Sequence, residues 1–183
     1  MSKRYIEQWS GHSKVRLRGR HEWQYYNPDR IWLWQNIEQP VLDVGCGSAI
    51  DGEFFIDYVG CDVTKESLRS AHEKYNVENV VCCDARFLPF KPNVFKSVFS
   101  KDLLLHYPQE EGEKVIREML RLKDEVVVAW GIEKDGTNYK PSYNPDFKMK
   151  DGFYYNKYDL EKLEKEFLLE FVENTSITLV KQK

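Results

Sequence analysis

A chain of 183 residues is long enough for one domain with a substantial hydrophobic core. Hydrophobic residues make up 42% of it and charged residues 31%, which is typical of globular proteins and unlike disordered or fibrous chains. The formal net charge of -3 gives no general attraction to nucleic acid or to anionic membranes. We expect a single domain over residues 1–183.

The cysteines and the N-terminal sequence predict a cytoplasmic protein. The four cysteines lie at or beside predicted strands, without the spacing of a metal site: Cys46, Cys61, Cys82 and Cys83. Buried, reduced thiols are therefore expected, and no metal. The first residues lack the apolar core of a signal peptide, and no apolar run approaches the roughly 18 residues of a membrane span. We expect no membrane association.

The N-terminal segment, 1–39, is polar, basic and aromatic. Four cations at alternate positions would share one face of an extended segment: Lys14, Arg16, Arg18 and Arg20. Two interpretations are open, a solvated edge or an anion-binding lip over the site. Pro28 and Asp29 then mark the start of a helix that we expect to end near Asn36.

The next stretch reads as a buried strand, a glycine turn and a helix. Val41–Val44 is the strand, and Gly45 and Gly47 let the backbone turn sharply so that a ligand can lie against it. A helix predicted over Ile50–Asp57 would point its N–H groups at the same space. Parallel α/β sheets bind nucleotides in this way at the carboxyl ends of their strands.

Strands and helices continue to alternate, which indicates a doubly wound, mostly parallel α/β sheet. Thr64 is expected to cap the second helix of this part. Further strands are predicted at 58–61, 80–83, 94–99 and 125–130, and helices at 65–75 and 109–122. A long aromatic insertion at 132–156 follows, then a helix at 158–165 and a hairpin of strands 168–173 and 176–181. The prediction is a seven-stranded, Rossmann-like sheet that ends in an antiparallel hairpin.

Three acids stand at the ends of successive strands. Asp43 precedes the glycine turn, Asp62 ends the second strand and Asp84 ends the third. A carboxylate at Asp62 can accept both hydroxyls of a ribose bound on the turn. A carboxylate at Asp84, with the backbone N–H of Ala85, can face the edge of an adenine. The three positions together predict an adenosine site.

Four stretches form a recognisable set: Val-Leu-Asp-Val-Gly-Cys-Gly at 41–47, Val-Gly-Cys-Asp at 59–62, Cys-Asp-Ala-Arg-Phe-Leu-Pro-Phe at 83–90, and Phe-Lys-Ser-Val-Phe-Ser-Lys-Asp-Leu-Leu-Leu-His-Tyr at 95–107. They resemble the motifs of class I S-adenosylmethionine-dependent methyltransferases, of the small ubiquinone-biosynthesis-like kind. The resemblance covers residues 41 to about 131. It implies the methyltransferase fold, S-adenosylmethionine as cofactor and S-adenosylhomocysteine as product.

The resemblance also implies roles for individual residues. Asp43 would hold the methionine end of the cofactor, Asp62 the ribose hydroxyls, and Asp84 and Ala85 the adenine. The implied cofactor-binding set is Asp43, Gly45, Cys46, Gly47, Asp62, Val63, Asp84, Ala85 and Ser100. The sequence departs from the family pattern at the third turn glycine, which is Ala49 here, in a shortened first helix, and in the absence of Pro-Gly-Gly before the fifth strand.

Methyl transfer from a sulfonium is an in-line displacement, so the enzyme mainly aligns the reactants and excludes water. A base is needed only when the nucleophile must lose a proton, and His106 is the candidate. The alternative for His106 is a packing role. The basic segment and the 132–156 insertion would cover the substrate, most simply a small molecule.

Other functions stay open. RNA or protein could be the acceptor, and a methyltransferase-fold protein could bind the cofactor or a partner without catalysis. A nicotinamide-dependent oxidoreductase is disfavoured, because Ile50 stands where the dinucleotide fingerprint needs its third glycine. The sequence does not predict the oligomeric state.

Overall fold

The computed structural model describes residues 28–129 and 158–183. The four alternating cations of the N-terminal segment and the 132–156 insertion lie outside the described residues, so their predicted roles over the substrate stay predictions. The described ranges hold no helix that is both long and apolar enough to cross a membrane.

The described residues form one seven-stranded sheet with the strand order β3-β2-β1-β4-β5-β7-β6. Its strands are β1 Val41–Val44, β2 Tyr58–Asp62, β3 Val80–Cys82, β4 Ser97–Lys101, β5 Glu125–Ala129, β6 Phe167–Phe171 and β7 Ile177–Gln182. The first five strands pair in parallel, and β7 pairs antiparallel with both β5 and β6. The predicted α/β fold with a terminal antiparallel hairpin is confirmed.

Helices cover both faces of the sheet and bury its apolar side chains. They are α1 Pro28–Asn36, α2 Lys65–Tyr75, α3 Gln109–Leu122 and α4 Leu160–Glu166, with 3₁₀ helices at Ile50–Phe54 and Leu104–His106. On one face, Leu33 of α1 and Ala71 of α2 belong to a buried cluster with Phe99. On the other face, Ile116 of α3 and Leu163 of α4 share a cluster with Leu42 and other strand residues.

The structure corrects three sequence predictions of secondary structure. The helix expected over Ile50–Asp57 is only the 3₁₀ helix Ile50–Phe54, because Gly52 is a poor helix former and the chain must extend at Phe55 to enter β2. The fourth strand begins at Ser97, where pairing with β1 starts, since Val94 is exposed beside the left-handed Asn93. Strand β3 ends at Cys82.

Two side chains also behave differently from their predictions. Thr64 holds the position before α2, but its side chain makes no capping hydrogen bond there. Its backbone N–H donates to Asp62 instead, at 2.7 Å. Cys82 is exposed rather than buried, because it ends the edge strand β3, which has one neighbour in the described sheet.

Candidate functional site

A cleft opens at the carboxyl ends of β1, β2, β3 and β4. β1 and β4 are neighbours in the sheet; β2 and β3 follow on the β1 side, and β5 follows on the β4 side. Ligands of open α/β sheets bind where the strand order reverses in this way. The cleft is lined by Gly45, Cys61, Asp62, Val63, Cys83, Ala85, Leu103 and Tyr107. Four predicted cofactor residues thus line the same cleft: Gly45, Asp62, Val63 and Ala85.

The turn after β1 forms the base of the cleft and has to begin with glycine. Gly45 has a φ of 79°, in the left-handed region that side chains disfavour. A Cβ atom at Gly45 would lie 2.7 Å from Cδ1 of Leu103. The backbone N–H groups of Gly45 and Cys46 both donate to the carbonyl of Cys61, at 2.8 and 2.9 Å. The turn is therefore tied to β2 and pressed against the Leu103 side chain.

Asp62 is fixed at the end of β2 by backbone donors on both of its oxygens. The N–H of Gly47 donates to Oδ2 at 3.0 Å, and the N–H of Thr64 donates to Oδ1 at 2.7 Å. Burial raises the pKa of Asp62, and these hydrogen bonds oppose that rise by favouring the carboxylate. The glycine turn and the start of α2 thus hold one carboxylate on the wall of the cleft.

Asp43 lies beneath the turn and is almost completely enclosed, at 3% exposure. The hydroxyl of Tyr58 donates to its Oδ2 at 2.8 Å. Burial, with the nearby negative charge of Asp51, raises the pKa of Asp43 from its ordinary 3.8 to about 8. Cys46 packs beside this pair, since a Cβ atom at Gly60 would meet both its Sγ and the Tyr58 hydroxyl. Burial thus favours the protonated form of Asp43 much more than at an exposed aspartate.

Two ion pairs lie near Asp43, since the charges of Asp51 and Lys101 both act on its pKa, and sequence reasoning missed both pairs. Arg30 of α1 pairs with Asp51 of the 3₁₀ helix, with Nε 2.6 Å from Oδ1, and both side chains are about nine-tenths buried. Lys101 pairs with Asp102 at 3.0 Å. Burial would lower the pKa of Lys101, but the carboxylates of Asp102 and Asp51 outweigh it and raise that pKa. A charged residue inside a helix as short as α1 gave no sequence signal of burial.

Asp84 and Ala85 both follow β3, but their surroundings differ from each other. Ala85 lines the cleft. The Asp84 carboxylate bonds to the guanidinium of Arg86, with Nη2 2.6 Å from Oδ2 and Nε 3.0 Å from Oδ1. Burial raises the pKa of Asp84, yet the hydrogen bonds and charge of Arg86 outweigh it and hold the pKa below its usual value. Asp84 thus remains ionised and is paired with an arginine two residues further along the chain.

Ser100 and His106 both lie in the interior at the β4 side of the site. Ser100 is 1% exposed, and its hydroxyl has no hydrogen-bond partner within the described ranges. His106 is 6% exposed and ends the 3₁₀ helix Leu104–His106. The cleft is lined by Leu103 and Tyr107 instead, which sequence reasoning missed. Their spacing gave no signal, because a 3₁₀ helix aligns residues three apart and Tyr107 is already extended.

Tyr158 clamps this turn against α3. Its hydroxyl is 2.8 Å from the carbonyl oxygen of Leu104 and 3.2 Å from that of Tyr107. A Cβ atom at Gly112 of α3 would lie 1.8 Å from the Tyr158 oxygen, so only glycine leaves room for the clamp. The position of Tyr107 on the cleft wall therefore depends on a residue that is distant in the sequence.

The described residues form no metal-binding site. Neither 28–129 nor 158–183 holds three or more His, Cys, Asp or Glu side chains placed to bind an ion. The groups that line the cleft are one fixed carboxylate, left-handed glycine backbone, the thiols of Cys61 and Cys83, and largely apolar side chains.

Comparisons with known proteins agree with this geometry. A family model described as "Methyltransferase domain" matches residues 41–124. Magnesium protoporphyrin IX methyltransferase from Synechocystis PCC 6803, solved with S-adenosylhomocysteine, is 18% identical with a TM-score of 0.64, and the match covers 98% of this chain and 97% of that one. The fold is that of a class I methyltransferase. The predicted resemblance to that class is confirmed.

Further structures share the fold. The same Synechocystis protein with S-adenosylmethionine matches with a TM-score of 0.62 at 18% identity, over 100% of this chain and 99% of that one. A candidate methyltransferase from Bacillus halodurans C-125 is 25% identical with a TM-score of 0.57, over 78% and 70%. A complex of the Trm112 methyltransferase activator with a candidate methyltransferase from Haloferax volcanii matches with a TM-score of 0.62 at 12% identity, over 100% and 98%.

No curated protein sequence matches the chain. The methyltransferase family and the two cofactor-bound structures support S-adenosylmethionine as the cofactor that the sequence predicts. The finer resemblance to the ubiquinone-biosynthesis-like group stays a prediction.

Proposed function

We propose that the protein binds S-adenosylmethionine in the cleft and transfers its methyl group to a small-molecule acceptor. The Asp62 carboxylate is the observation that carries the proposal. It lines the cleft at the end of β2, and two backbone N–H groups fix its orientation. A carboxylate fixed in this way accepts hydrogen bonds from vicinal ribose hydroxyls without a cost for ordering its side chain.

The other residues of the site fit the remaining parts of the same ligand. Gly45 offers backbone without a side chain at the base of the cleft, and Val63 and Ala85 offer apolar wall to an adenosine. Ser100, with Cys46 and Gly47 of the turn, would stand at the methionine end. The buried Ser100 hydroxyl fits a polar group of the ligand, because it has no partner in the described part of the chain.

When bound, the sulfonium supplies an activated methyl group and leaves as a neutral thioether. The protein therefore has to position the acceptor and exclude water, and no acid is required at the leaving group. His106 is proposed as a base only for an acceptor that must lose a proton. Its burial in the turn between Leu103 and Tyr107 equally suits the alternative role of packing.

A small-molecule acceptor is favoured over RNA by charge. The net charge of -3 gives no broad cationic surface, whereas binding along a nucleic-acid backbone depends on many Lys and Arg contacts. We propose that segments 1–39 and 132–156 supply the acceptor contacts, because the described cleft wall carries cofactor-type features. Deleting residues 1–25 should then abolish methylation and spare cofactor binding.

The decisive test measures cofactor binding and turnover separately. Thermal-shift titration should show stabilisation by S-adenosylmethionine and by S-adenosylhomocysteine, because each ligand binds the folded protein and not the unfolded chain. Transfer of labelled methyl should then be screened against metabolite, RNA and protein pools. Failure of both ligands to stabilise the protein would contradict the proposal, and binding without transfer to any pool would favour the non-catalytic alternative.

A further inference from the structure

Two thiols in the cleft have no part in the proposed methyl transfer. Cys61 lies in β2, directly before Asp62, and Cys83 directly follows β3. Both line the cleft, and both pack in the same apolar cluster on one face of the sheet. The backbone N–H of Cys83 donates to the carbonyl oxygen of Asp62 at 3.0 Å, which holds the end of β3 against the end of β2. The two cysteines are therefore neighbours across adjacent strands, although they are far apart in the sequence.

The two side chains also interact directly. A hydrogen bond joins the thiols and has the largest effect on both, raising the pKa of Cys61 and lowering the pKa of Cys83. These directions identify Cys61 as the donor, because a donor keeps its proton and an acceptor is stabilised as the thiolate. Cys83 is half-buried whereas Cys61 is buried, so the Cys83 sulfur is also the more accessible one. In thiol–disulfide exchange the attacking species is a thiolate, and Cys83 is the member of the pair that suits this role.

The other two cysteines differ from this pair. The exposed Cys82 thiol donates to the Val63 carbonyl oxygen at 3.7 Å, and the Cys46 thiol donates to the Gly47 carbonyl oxygen at 3.7 Å. Burial raises the pKa of both thiols. Neither Cys46 nor Cys82 is among the described residues that line the cleft. Cys82 is therefore a matched control, because it is the neighbour of Cys83 in the chain but lies outside the cleft.

We propose that Cys61 and Cys83 form a dithiol site, which oxidised glutathione or a similar small disulfide converts to an intramolecular disulfide, and that this disulfide weakens binding of the cofactor. Formation of the disulfide goes beyond the proposed function and does not depend on it. The effect on the cofactor rests on the proposed function, because it requires the cofactor to bind in this cleft.

The oxidation takes two exchange steps. The Cys83 thiolate attacks one sulfur of oxidised glutathione, so an S–S bond forms between Cys83 and glutathione while the bond within oxidised glutathione breaks. The Cys61 sulfur loses its proton, attacks the Cys83 sulfur and displaces the second glutathione. The two glutathione thiolates that leave take up the two protons that the cysteines lose. The protein thiols are oxidised by two electrons, and the glutathione disulfide is reduced by the same two.

The disulfide alters the part of the cleft that carries Asp62. Cys61 directly precedes Asp62, and the Cys83 N–H is bonded to the Asp62 carbonyl oxygen, so both sulfurs are attached to backbone that positions this carboxylate. A disulfide brings its two sulfurs to about 2 Å, which is closer than two hydrogen-bonded thiols lie. The cross-link therefore shifts the ends of β2 and β3 at the cleft. By thermodynamic linkage, a ligand bound in the cleft opposes the cross-link to the same extent.

Mass spectrometry of the full chain tests the dithiol site independently of the cofactor. The protein is incubated with mixtures of reduced and oxidised glutathione and then digested without reduction. A Cys61–Cys83 linkage should be the main product in the unmodified protein and in the control Cys82→Ser. Cys61→Ala should stop at a glutathione adduct on Cys83, because the thiol that displaces glutathione is missing. Cys83→Ala should give neither product.

Calorimetric titration with S-adenosylhomocysteine tests the effect on cofactor binding. The oxidised protein should bind this ligand roughly tenfold more weakly than the reduced protein, and dithiothreitol should restore the affinity. A saturating concentration of the ligand should slow formation of the Cys61–Cys83 disulfide. Cys82→Ser should behave like the unmodified protein in both measurements.

The two parts of the proposal can be overturned separately. A folded unmodified protein that forms no Cys61–Cys83 disulfide, or that joins Cys82 to another cysteine instead, contradicts the dithiol site, and this result needs no variant to fold. Unchanged affinity for S-adenosylhomocysteine in the oxidised protein contradicts the effect on the cofactor and leaves the dithiol site intact. Failure of the reduced protein to bind this ligand overturns the proposed function and the effect on the cofactor together, while the peptide map still decides the dithiol site.

Discussion

Asp62 is the last residue of β2 and Asp84 lies two residues after β3, and the fold surrounds the two carboxylates differently. Asp62 receives backbone N–H groups on both oxygens and keeps its side chain on the cleft wall. Asp84 receives the guanidinium of Arg86 and stands outside the lining. The two carboxylates therefore differ in their donors, which are backbone N–H groups at Asp62 and a guanidinium at Asp84. Under the proposed function, the lone pairs that remain on the Asp62 oxygens accept from the ribose hydroxyls.

The largest effect on cofactor binding is expected from removing the Asp62 carboxylate. Asp62→Ala should raise the dissociation constant for S-adenosylhomocysteine by at least about 100-fold, because each hydrogen bond to a charged group contributes roughly 1.5–3 kcal/mol and two ribose hydroxyls lose their acceptor. Calorimetric titration measures the change. Asp57→Ala is the matched control, since Asp57 precedes β2 at its other end and is exposed. Equal affinity in the two variants would contradict the assignment of Asp62 to the ribose.

The glycine turn that anchors Asp62 gives the next largest effect. Gly45→Ala should destabilise the protein by about 2–3 kcal/mol, because a left-handed residue with a side chain is strained and its Cβ would overlap Leu103. Denaturant unfolding measures the loss. Adding Leu103→Ala should restore part of it by removing the overlap, and a double variant as unstable as the sum of the two singles would show that the contact is unimportant.

Asp43 is a third carboxylate with different surroundings. Its pKa is raised, whereas the pKa of Asp84 is lowered. Between about pH 4 and pH 8 the folded protein keeps a proton on Asp43 that the unfolded chain has lost, so this group stabilises the fold less as the pH rises through that window. Asp43→Asn is neutral at every pH. Its stability relative to the unmodified protein should therefore rise by about 1–3 kcal/mol from pH 5 to pH 8.

Urea unfolding at several pH values checks the Asp43 effect. Asp57→Asn should show no such trend, since that side chain is exposed. A relative stability of Asp43→Asn that stays constant between pH 5 and pH 8 would mean that Asp43 is already ionised in the folded protein over that range.

The smallest effect is expected at Ala49, which departs from the family's third turn glycine. Ala49 has a φ of 53° and is completely buried. Ala49→Gly should relieve about 1 kcal/mol of left-handed strain and lose about 0.8 kcal/mol from burial of one methyl group. The two terms nearly cancel, so denaturant unfolding should give a change within about 0.5 kcal/mol. A larger change in either direction would show that the alanine has a separate role in the turn.

The sequence was sufficient for the fold and for part of the site. Buried apolar runs ending in glycine or aspartate located β1, β2 and the cleft between them, because strand burial and turn geometry are local properties. It did not locate Leu103 and Tyr107 on the cleft wall. Their position depends on the short 3₁₀ helix and on the clamp from Tyr158, which comes from a part of the chain about fifty residues away.

The sequence also could not indicate which charged residues are buried. Arg30 and Asp51 are more than twenty residues apart and form a shielded pair only because α1 packs beside the glycine turn. The helix expected over Ile50–Asp57 was wrong for a related reason. Local propensity allows a longer helix there, but the chain has too few residues between β1 and β2 to complete one.

The sequence by itself determined the sheet, the glycine turn and the class of ligand, because these follow from residue types at fixed local spacing. The tertiary structure alone decided the orientation of each acid. Asp62 is oriented by the backbone N–H groups of Gly47 and Thr64, burial raises the pKa of Asp43 although Tyr58 donates to it, and Asp84 is held by Arg86. A carboxylate has the same chemistry at all three positions, and only the donors and burial that the fold brings to it differ.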